Sequence, residues 1–360
     1  WGIVVCDEAQ KIKTPAALVT RAAKALQADF RVACTGTPVE NSLADLWCLF
    51  DFFQPGLLGS LNEFTSKFRR QIETRAAGHD QLVERLRKAI EPWVLRRLKA
   101  DVATLPPKYE RDHSEADPRC MQLRMSPLQR QLYSEVISRF RAAMRHRERG
   151  AGILAILNTL RMICSHPLSV SHEDAELLPI EVHIEHSPKL AWLLDRLTAI
   201  RARGEKAIVF TEYRDIQRLL QRAIMYRFDY VAPIVNGSST VDPRSDASRQ
   251  RIIDRFQSAP GFGVIILSTT AVGFGLNVQA ANHVIHFTRP WNPAKEDQAT
   301  DRTYRIGQTK PVHVYCPTVI AEDFETFDLR VDSLLAEKRS LSRDMLAGVQ
   351  EITLNDFEGL

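Results

Sequence analysis

The chain contains 360 residues, 44% of them hydrophobic, and its formal net charge at pH 7 is +4. This length and composition are typical of a globular protein of about two domains, and the mild charge neither requires nor excludes a nucleic-acid partner. No apolar run approaches the length of a membrane span and the first residues lack the pattern of a signal peptide, so we expect a soluble, intracellular protein.

The chain opens on WGIVVCDEAQKIKTP, an apolar run that ends in two acidic residues. The run predicts a buried strand of a parallel sheet, and the C-terminal edge of such a sheet is the usual position of a ligand site. At a nucleotide, Asp7 would hold magnesium through water, and Glu8 would accept a proton from the attacking water. A helix N-cap or an exposed acidic pair is the alternative interpretation.

A helix and a second strand follow. Apolar residues recur at helical spacing over 15–27, with Thr14 as the predicted N-cap. RVACTGTPVEN then predicts a strand that ends in a turn at 35–38. We therefore expect two parallel strands joined by a crossover helix.

The segment 50–107 is rich in arginine. Its apolar spacing predicts amphipathic helices over 62–75 and 81–98. Arg96, Arg97 and Lys99, around the end of the second helix, would either contact phosphates or cap and solvate the helix end. Both interpretations remain open.

Residues 125 to about 164 are predicted to be mainly helical. Residues 109–119 predict a linker, and two helices are expected after Met125, the first with Ser126 as its N-cap. The second helix is apolar nearly all round, which predicts that it is buried. Residues 168–186 are weakly patterned and predict a loop.

From Ser187 onward, helices alternate with short apolar strands, a pattern that specifies a doubly wound parallel sheet. Ser268 and Thr269 end one strand, where hydroxyl groups and backbone amides can meet nucleic-acid phosphates. The predicted strands are 206–210, 231–235, 263–267, 283–287 and 312–315.

The stretch 271–308, AVGFGLNVQAANHVIHFTRPWNPAKEDQATDRTYRIGQ, contains further candidates for a ligand site. Gly273 and Gly275 allow the backbone to approach a ligand closely. Arg302 and Arg305 would share one face of a helix, because residues three apart are neighbours there, and two guanidinium groups on one face suit a phosphate. A pair of solvated or salt-bridged surface arginines is the alternative.

The cysteines and histidines argue against a metal centre built by side chains alone. Six cysteines are scattered without a Cys-x-x-Cys motif, which indicates reduced thiols. No carboxylate or cysteine pattern completes a metal site with the histidines. His283 and His286 lie on one predicted strand and are expected to face opposite sides of the sheet.

Together these motifs resemble the SWI/SNF-like ATPases, a branch of the superfamily two helicases. DEAQ resembles the family's Walker B motif, TGTPVEN its third motif, and the stretch 271–308 its last two conserved motifs. IEPWVLRRLKADVATLPPKYE resembles its helical protrusion, and LRMICSHP resembles a further family sequence in which His166 would be structural. Thr288 and Phe274 depart from the family pattern, since an acid is common at the first position and a smaller residue at the second.

The resemblance implies an α/β fold with two RecA-like parallel sheets. It divides the chain into the C-terminal part of a first, ATP-binding lobe (1–50), helical protrusions with a linker (51–186), a complete second lobe, the helicase C-terminal domain (187–320), and a brace helix with a tail (321–360). The phosphate-binding loop Gly-x-x-x-x-Gly-Lys-Ser/Thr occurs nowhere in the chain. We therefore expect an N-terminally truncated motor that has no appreciable ATPase activity by itself.

The resemblance also implies the residues of the site. Asp7, Glu8, Arg302 and Arg305 would be catalytic, with Asp7 holding magnesium and the two surface-facing arginines reaching the γ-phosphate of ATP. Residues that bind ATP or couple its hydrolysis would be Gln10, Thr35, Gly36, Thr37, Gly273, Gly275, Asn277, Gln298 and Asp301. Residues that contact DNA would be Arg96, Arg97, Thr211, Ser268, Thr269 and Trp291.

The implied function is hydrolysis of ATP, with magnesium, coupled to movement along double-stranded DNA without strand separation. Two alternatives remain open. One is a non-catalytic DNA- or protein-binding remnant of the motor, and the other is an ATPase of the same branch that associates with RNA polymerase. Such a protein would work at the nucleoid in the cytoplasm of a bacterium or in the nucleus of a eukaryote.

Overall fold

The computed structural model describes residues 1–36, 42–73, 79–97, 99–110, 121–145, 151–171, 175–240, 245, 248–269, 276–341 and 354–357. These residues form two compact units. The first unit comprises the described residues of 1–97, 292–294 and 335–341, and the second comprises those of 99–291, 295–334 and 354–357. The domain boundaries predicted at residues 50, 186 and 320 stay predictions.

The first unit begins with two parallel strands, β1 (Ile3–Cys6) and β2 (Phe30–Ala33), joined through a 3-10 helix (Ala9–Ile12) and helix α1 (Leu18–Ala25). The parallel pairing predicted from the sequence is therefore present. The predicted N-cap is not, because α1 begins after Ala17 and no side chain caps it.

The prediction that β1 is buried is wrong for the part of the chain that the structure describes. Ile3 and Val5 are 63% and 58% exposed, and only the alternate residues of β1 are half-buried. The apolar residues of α1 are also exposed, with Leu18 at 80%. The cause is that, among the described residues, β1 pairs only with β2 and one face of this layer packs against nothing.

The remainder of the first unit is helical. Helix α2 (Leu43–Phe53) starts with a capping box, in which Ser42 and Asp45 bond each other's backbone amides. A helical segment follows as α3 (Leu61–Phe64), a π-helical turn (Thr65–Arg69) and α4 (Arg70–Glu73), and then α5 (His79–Ile90) and a 3-10 turn (Glu91–Trp93). The second predicted helix, 81–98, thus ends at Ile90, because Pro92 has no amide hydrogen with which to continue it.

The second unit contains a parallel sheet of six strands in the order β3-β9-β8-β5-β7-β6 among the described residues. A separate parallel pair is formed by β4 and β10. The ten strands of the described chain continue from β2 as β3 (Lys108–Tyr109), β4 (Gln122–Arg124), β5 (Lys206–Phe210), β6 (Ile234–Val235), β7 (Gly263–Leu267), β8 (His283–His286), β9 (Val312–Tyr315) and β10 (Thr318–Ile320).

Helices surround these strands. In chain order they are α6 (Lys99–Val102), α7 (Pro127–Arg145), α8 (Ala151–Ser165), α9 (Leu168–Ser171), a 3-10 helix (Ala175–Leu177), α10 (Ile180–His186), α11 (Pro188–Ala202), α12 (Arg214–Phe228), α13 (Arg249–Ser258), α14 (Pro293–Thr300), α15 (Phe327–Leu341) and a 3-10 helix (Leu354–Phe357). Ser126 caps α7 by accepting from the Gln129 amide at 3.2 Å, as predicted. The loop predicted over 168–186 is wrong, since α9 and α10 lie there.

The core of the second unit lies on both faces of the sheet. Every residue of β5, β7 and β8 is buried. Along β5, Ala207 and Val209 pack into one apolar cluster, and Ile208 and Phe210 pack into another. Because successive residues of a strand face opposite sides, both faces of the sheet are covered, as in a doubly wound fold. The predicted α/β class with a parallel sheet is confirmed.

Candidate functional site

The acidic pair lies where β1 ends, beside the end of β2. Asp7 and Glu8 follow β1 directly, and Thr35 and Gly36 follow β2. The Cys34 amide donates to the Cys6 carbonyl at 2.8 Å, and the Ala9 amide donates to the Cys34 carbonyl at 2.9 Å. These bonds hold the two strand ends side by side, so the predicted residues of this edge are brought together. Thr37 lies outside the described residues.

Gln10 connects the acid to the neighbouring turn. Its Nε2 donates to Glu8 Oε2 at 2.6 Å, and its Oε1 accepts from Thr35 Oγ1 at 2.8 Å. The carboxylate of Glu8 is thereby linked through one side-chain amide to the end of β2. Gln10 thus bridges Glu8 and Thr35, two of the predicted site residues.

Glu8 has a left-handed backbone conformation, with φ of 51° and ψ of 46°. A residue with a Cβ atom is strained there, by roughly 1–3 kcal/mol. Among the described non-glycine residues, Asp229 alone shares a positive φ. The turn directs the chain away from the strand so that Glu8 and Gln10 meet.

Asp7 is a suitable ligand for magnesium. Its carboxylate is at an exposed position, and its Oδ1 accepts from the Glu8 amide at 2.8 Å, which orients the group. No group of three or more histidine, cysteine, aspartate or glutamate residues that could hold a metal occurs among the described residues. A hard cation held by one or two carboxylates together with water and phosphate oxygens needs no such cage, so the donor present fits magnesium.

The two arginines of the later motif do not lie on a helix. Helix α14 ends at Thr300, and 301–308 form consecutive turns in which the Arg302 amide donates to the Ala299 carbonyl at 3.2 Å. The expectation of a shared helical face is therefore wrong. Burial also separates the two, because Arg302 is 6% exposed whereas Arg305 is half-buried.

The turns that carry the arginines are bonded to the segment before β8. The Val278 amide donates to the Arg302 carbonyl at 3.0 Å, and Arg305 Nη1 donates to Asn277 Oδ1. Gln308 Nε2 donates to the carbonyls of both Gln279 and Ala281 at 3.0 Å. Asn277, an exposed residue, thus contacts a predicted catalytic arginine. The predicted Gly273 and Gly275 lie outside the described residues.

Lys99 fastens α6 to the same turns. Its Nζ lies 2.6 Å from Asp301 Oδ1 and donates to the Tyr304 carbonyl at 3.0 Å. Lys99 therefore holds the segment that carries the arginines. Neither interpretation of the basic cluster, phosphate contact or capping of the helix end, included this role. Arg96 and Arg97 are exposed and lie in the non-helical chain that follows Trp93, while Gln298 is half-buried on α14.

A cluster of hydroxyl groups lies at the C-terminal edge of the six-stranded sheet. Thr211 follows β5, Ser268 and Thr269 follow β7, and Thr288 follows β8 by two residues. Thr288 Oγ1 donates to Thr211 Oγ1 at 3.1 Å, and both side chains are buried. Ser268 is also buried, whereas Thr269 is half-buried. Of the three DNA contacts predicted at this edge, Thr269 is the one that solvent reaches.

Comparison with known proteins decides the family. A family model described as the SNF2-related domain matches residues 1–169, and one described as the helicase conserved C-terminal domain matches residues 188–307. The chain is also similar to the solved SWI2/SNF2 ATPase core of Sulfolobus solfataricus in complex with dsDNA, at 33% identity and a TM-score of 0.52, over 96% of this chain and 69% of that one. The chain belongs to the SNF2 family.

Two curated relatives extend the SNF2 assignment. The chain is 52% identical to the Zorya protein ZorD of Escherichia coli over its whole length, which is 33% of that protein. It is 35% identical to the putative ATP-dependent helicase/translocase YwqA of Bacillus subtilis, again over its whole length and 37% of that protein. The chain thus spans about a third of the length of these relatives.

Trp291 of the SNF2 motif packs inside an aromatic cluster. Its ring centroid lies 5.3 Å from that of Phe357 and 6.1 Å from that of Phe327, and those two phenylalanines stack at 5.1 Å. The indole is half-buried. A contact with DNA, as the sequence predicts, would therefore use the uncovered part of the ring.

A buried ion cluster next to this tryptophan was missed by the sequence analysis. Arg289 Nε and Nη2 each lie 2.8 Å from one carboxylate oxygen of Glu296, and Arg289 Nη1 bonds Asp332. Glu296 and Asp332 are 3% and 6% exposed. Asp332 is 43 residues from Arg289 along the chain, so no local spacing signals that it completes the cluster. The three residues fix the SNF2 loop before α14 to the start of α15.

His166 packs against a second histidine. His166 Nε2 lies 3.1 Å from His183 Nδ1, and His166 is fully buried. Burial lowers the pKa of His166 to about 3 and also lowers the pKa of His183. The neutral pair joins the end of α8 to α10.

No helix of the described chain is long and apolar enough to cross a membrane.

Proposed function

We propose that this chain is part of a motor that hydrolyses ATP to move along double-stranded DNA. The observation that carries the proposal is the line of hydrogen bonds from Glu8 through Gln10 to Thr35, found in a chain of the SNF2 family. It supports a carboxylate that acts on a nucleotide and is coupled to the neighbouring turn. The similarity to YwqA, named a putative ATP-dependent helicase/translocase, and to the Sulfolobus solfataricus ATPase core solved with dsDNA supports the same function.

The proposed chemistry divides among four side chains. Asp7 would hold magnesium through water, which would place positive charge beside the phosphates. Glu8 accepts a proton from the attacking water. Arg302 and Arg305 stabilise negative charge that develops on the transferred phosphoryl group. Gln10 orients Glu8, and Asn277 orients Arg305.

We place the DNA contacts on the second unit and on the exposed basic residues. Thr269 would bind a backbone phosphate through its amide and hydroxyl groups, and Arg96 and Arg97 would contribute charge. Thr211, Ser268 and Trp291 would shape this surface. Phosphate contacts carry no base information, so the binding would be nearly independent of sequence. A DNA motor of this kind would act at the bacterial nucleoid or in the nucleus.

The test is DNA-stimulated ATP turnover by the complete protein, beside its Glu8→Gln variant. We expect turnover that requires duplex DNA, and a loss of about a hundredfold or more in the variant because the general base is gone. Duplex affinity and melting temperature should stay close to the parent values. The 360-residue chain alone contains no Gly-x-x-x-x-Gly-Lys-Ser/Thr sequence and should show no turnover.

Either of two results would contradict the proposal. One is a complete protein that binds duplex DNA without hydrolysing ATP, which is the result expected of a binding remnant. The other is turnover that duplex DNA does not stimulate.

A further inference from the structure

Glu212 occupies the donors of Thr269 that the proposed function assigns to a DNA phosphate. The backbone amide of Thr269 donates to Glu212 Oε1 at 2.6 Å, and Thr269 Oγ1 donates to the same oxygen. Glu212 lies between β5 and α12, at the same edge of the sheet as Thr269. One carboxylate oxygen therefore receives two hydrogen bonds from the end of β7.

A carboxylate and a phosphate seek the same donors. Both are anions whose oxygens accept from backbone amides and hydroxyl groups, and such charge-assisted bonds are the strong ones. A single N–H points at one acceptor. The amide of Thr269 cannot be bonded fully to Glu212 and to a DNA phosphate at the same time, and the two anions also repel each other.

The backbone of Glu212 is fixed while its side chain reaches solvent. Its amide donates to Thr288 Oγ1 at 3.3 Å, and Thr288 in turn donates to the buried Thr211 hydroxyl. The side chain of Glu212 is half-buried. A change of side-chain rotamer could break the contact with Thr269 while the Glu212 amide stays bonded to Thr288.

We infer that Glu212 is an internal competitor for the phosphate contact at Thr269, displaced when duplex DNA binds and returning when the contact breaks. The inference rests on the proposed function. A competitor next to the contact shortens the time for which one phosphate is held. That property suits a protein that must release one phosphate before it takes the next.

The experiment measures duplex affinity of the complete protein with a short mixed-sequence duplex at fixed salt. We expect Glu212→Gln and Glu212→Ala to bind about tenfold more tightly, mainly through slower dissociation, because a like charge beside the phosphate is removed. Glu176→Gln is the matched control. Glu176 is an exposed carboxylate on the 3-10 helix Ala175–Leu177, paired with Arg218 at 2.7 Å, and its removal deletes the same charge away from the sheet edge. It should change affinity by less than about twofold.

A second background ties the effect to Thr269. In a Thr269→Val variant, which lacks the hydroxyl, the gain from Glu212→Gln should shrink markedly, because the competed contact is already weakened. Equal or weaker binding by both Glu212 variants, with unchanged melting temperature, would overturn the inference and assign Glu212 a supporting role for Thr269. If the parent protein itself fails to bind duplex DNA, the proposed function fails with it, and that result is distinct from binding without a gain.

Discussion

Arg302 and Arg305 stand three residues apart but differ in how far water reaches them. Both were predicted to face the surface, and for Arg302 this prediction is wrong, because the residue is only 6% exposed. A buried guanidinium fills space and satisfies buried acceptors, so its removal is costly. A half-buried one contributes little to folding.

We expect Arg302→Ala to lower both turnover and melting temperature in the complete protein, and Arg305→Ala to lower turnover alone. The loss of turnover should be roughly a thousandfold or more for each, and lysine should not restore it fully, because the planar fork of donors is lost. Turnover and thermal melting measured on the same variants separate the two effects. Turnover of Arg305→Ala within about tenfold of the parent would show that this arginine is structural.

His166 gives the chain an acid-sensitive site. Burial lowers the pKa of His166 from 6.5 to about 3. As pH falls below about 6.5 the unfolded chain gains a proton that the folded chain does not bind, so the free energy of unfolding falls by about 1.4 kcal/mol per pH unit until the folded pKa is reached. Above that window neither state binds the proton and this contribution is constant.

We therefore predict that His166→Asn flattens the dependence of stability on pH on the acid side of about pH 6.5. Denaturant unfolding of parent and variant from about pH 4.5 to 8 measures this, and the two curves should run parallel above the window. Some slope should remain in the variant, because burial also lowers the pKa of His283 to about 4. An unchanged slope would assign the acid sensitivity to other groups.

At the scale of elements, Lys99 of α6 holds the turns that carry the arginines in place. Lys99 bonds Asp301 and the Tyr304 carbonyl, and the Lys99 ammonium lies 5.6 Å from the Tyr304 ring centroid. A methionine of similar length keeps the packing of this side chain and removes its donors. The turns should then be held less firmly.

Lys99→Met should lower turnover of the complete protein by about tenfold or more while duplex affinity changes less than about threefold, since catalytic groups need accurate placement. Lys88→Met is a matched control, because Lys88 is an exposed lysine of α5 whose Nζ lies 3.9 Å from Glu84 Oε1. If Lys99→Met lowers duplex affinity and turnover to the same extent, Lys99 contacts a phosphate instead.

Patterns within a single element were the most predictable from sequence. The apolar runs at β5, β7, β8 and β9 specified these strands within about a residue, since four or five consecutive residues that are nearly all buried leave a clear pattern. The strand predicted over 231–235 is wrong in its length, because only Ile234–Val235 form β6. Strands β3, β4 and β10 have two or three residues each, which is too short to leave an apolar pattern in the sequence. The helical spacing of Arg302 and Arg305 was misleading, because turn bonds after α14 replace the helix.

Contacts between distant elements were not predictable. The pairing of His166 with His183 and the cluster around Arg289 depend on the packing of helices that sequence spacing does not encode. The same holds for Glu212, because its contact with Thr269 spans two strands. The residues of the motifs were identified from sequence, and the side chains that position them were not.

For the whole molecule, the proposed mode of binding predicts a strong dependence on salt. Affinity of the complete protein for duplex DNA should fall by roughly a thousandfold or more between about 50 and 200 mM salt if six or more phosphates are contacted. Duplexes of different sequence should differ by less than about threefold, since phosphates carry no base information. Titrations with two unrelated duplexes at several salt concentrations measure both. An affinity that does not change with salt concentration would contradict the proposal that the protein binds DNA through its phosphates.

At Glu8, the left-handed backbone lowers the stability of the fold, while the side chain is the one proposed for activity. Glycine would adopt φ of 51° without the steric cost of roughly 1–3 kcal/mol that a Cβ atom incurs there. A Glu8→Gly chain would relieve this strain and lose the proposed base in the same step. Selection for a more stable fold alone would therefore favour glycine wherever the relieved strain exceeds the extra entropy of the unfolded glycine chain, and the proposed role of the carboxylate opposes that change. Variants chosen in a screen for thermostability should for this reason be checked at residue 8 before their turnover is trusted.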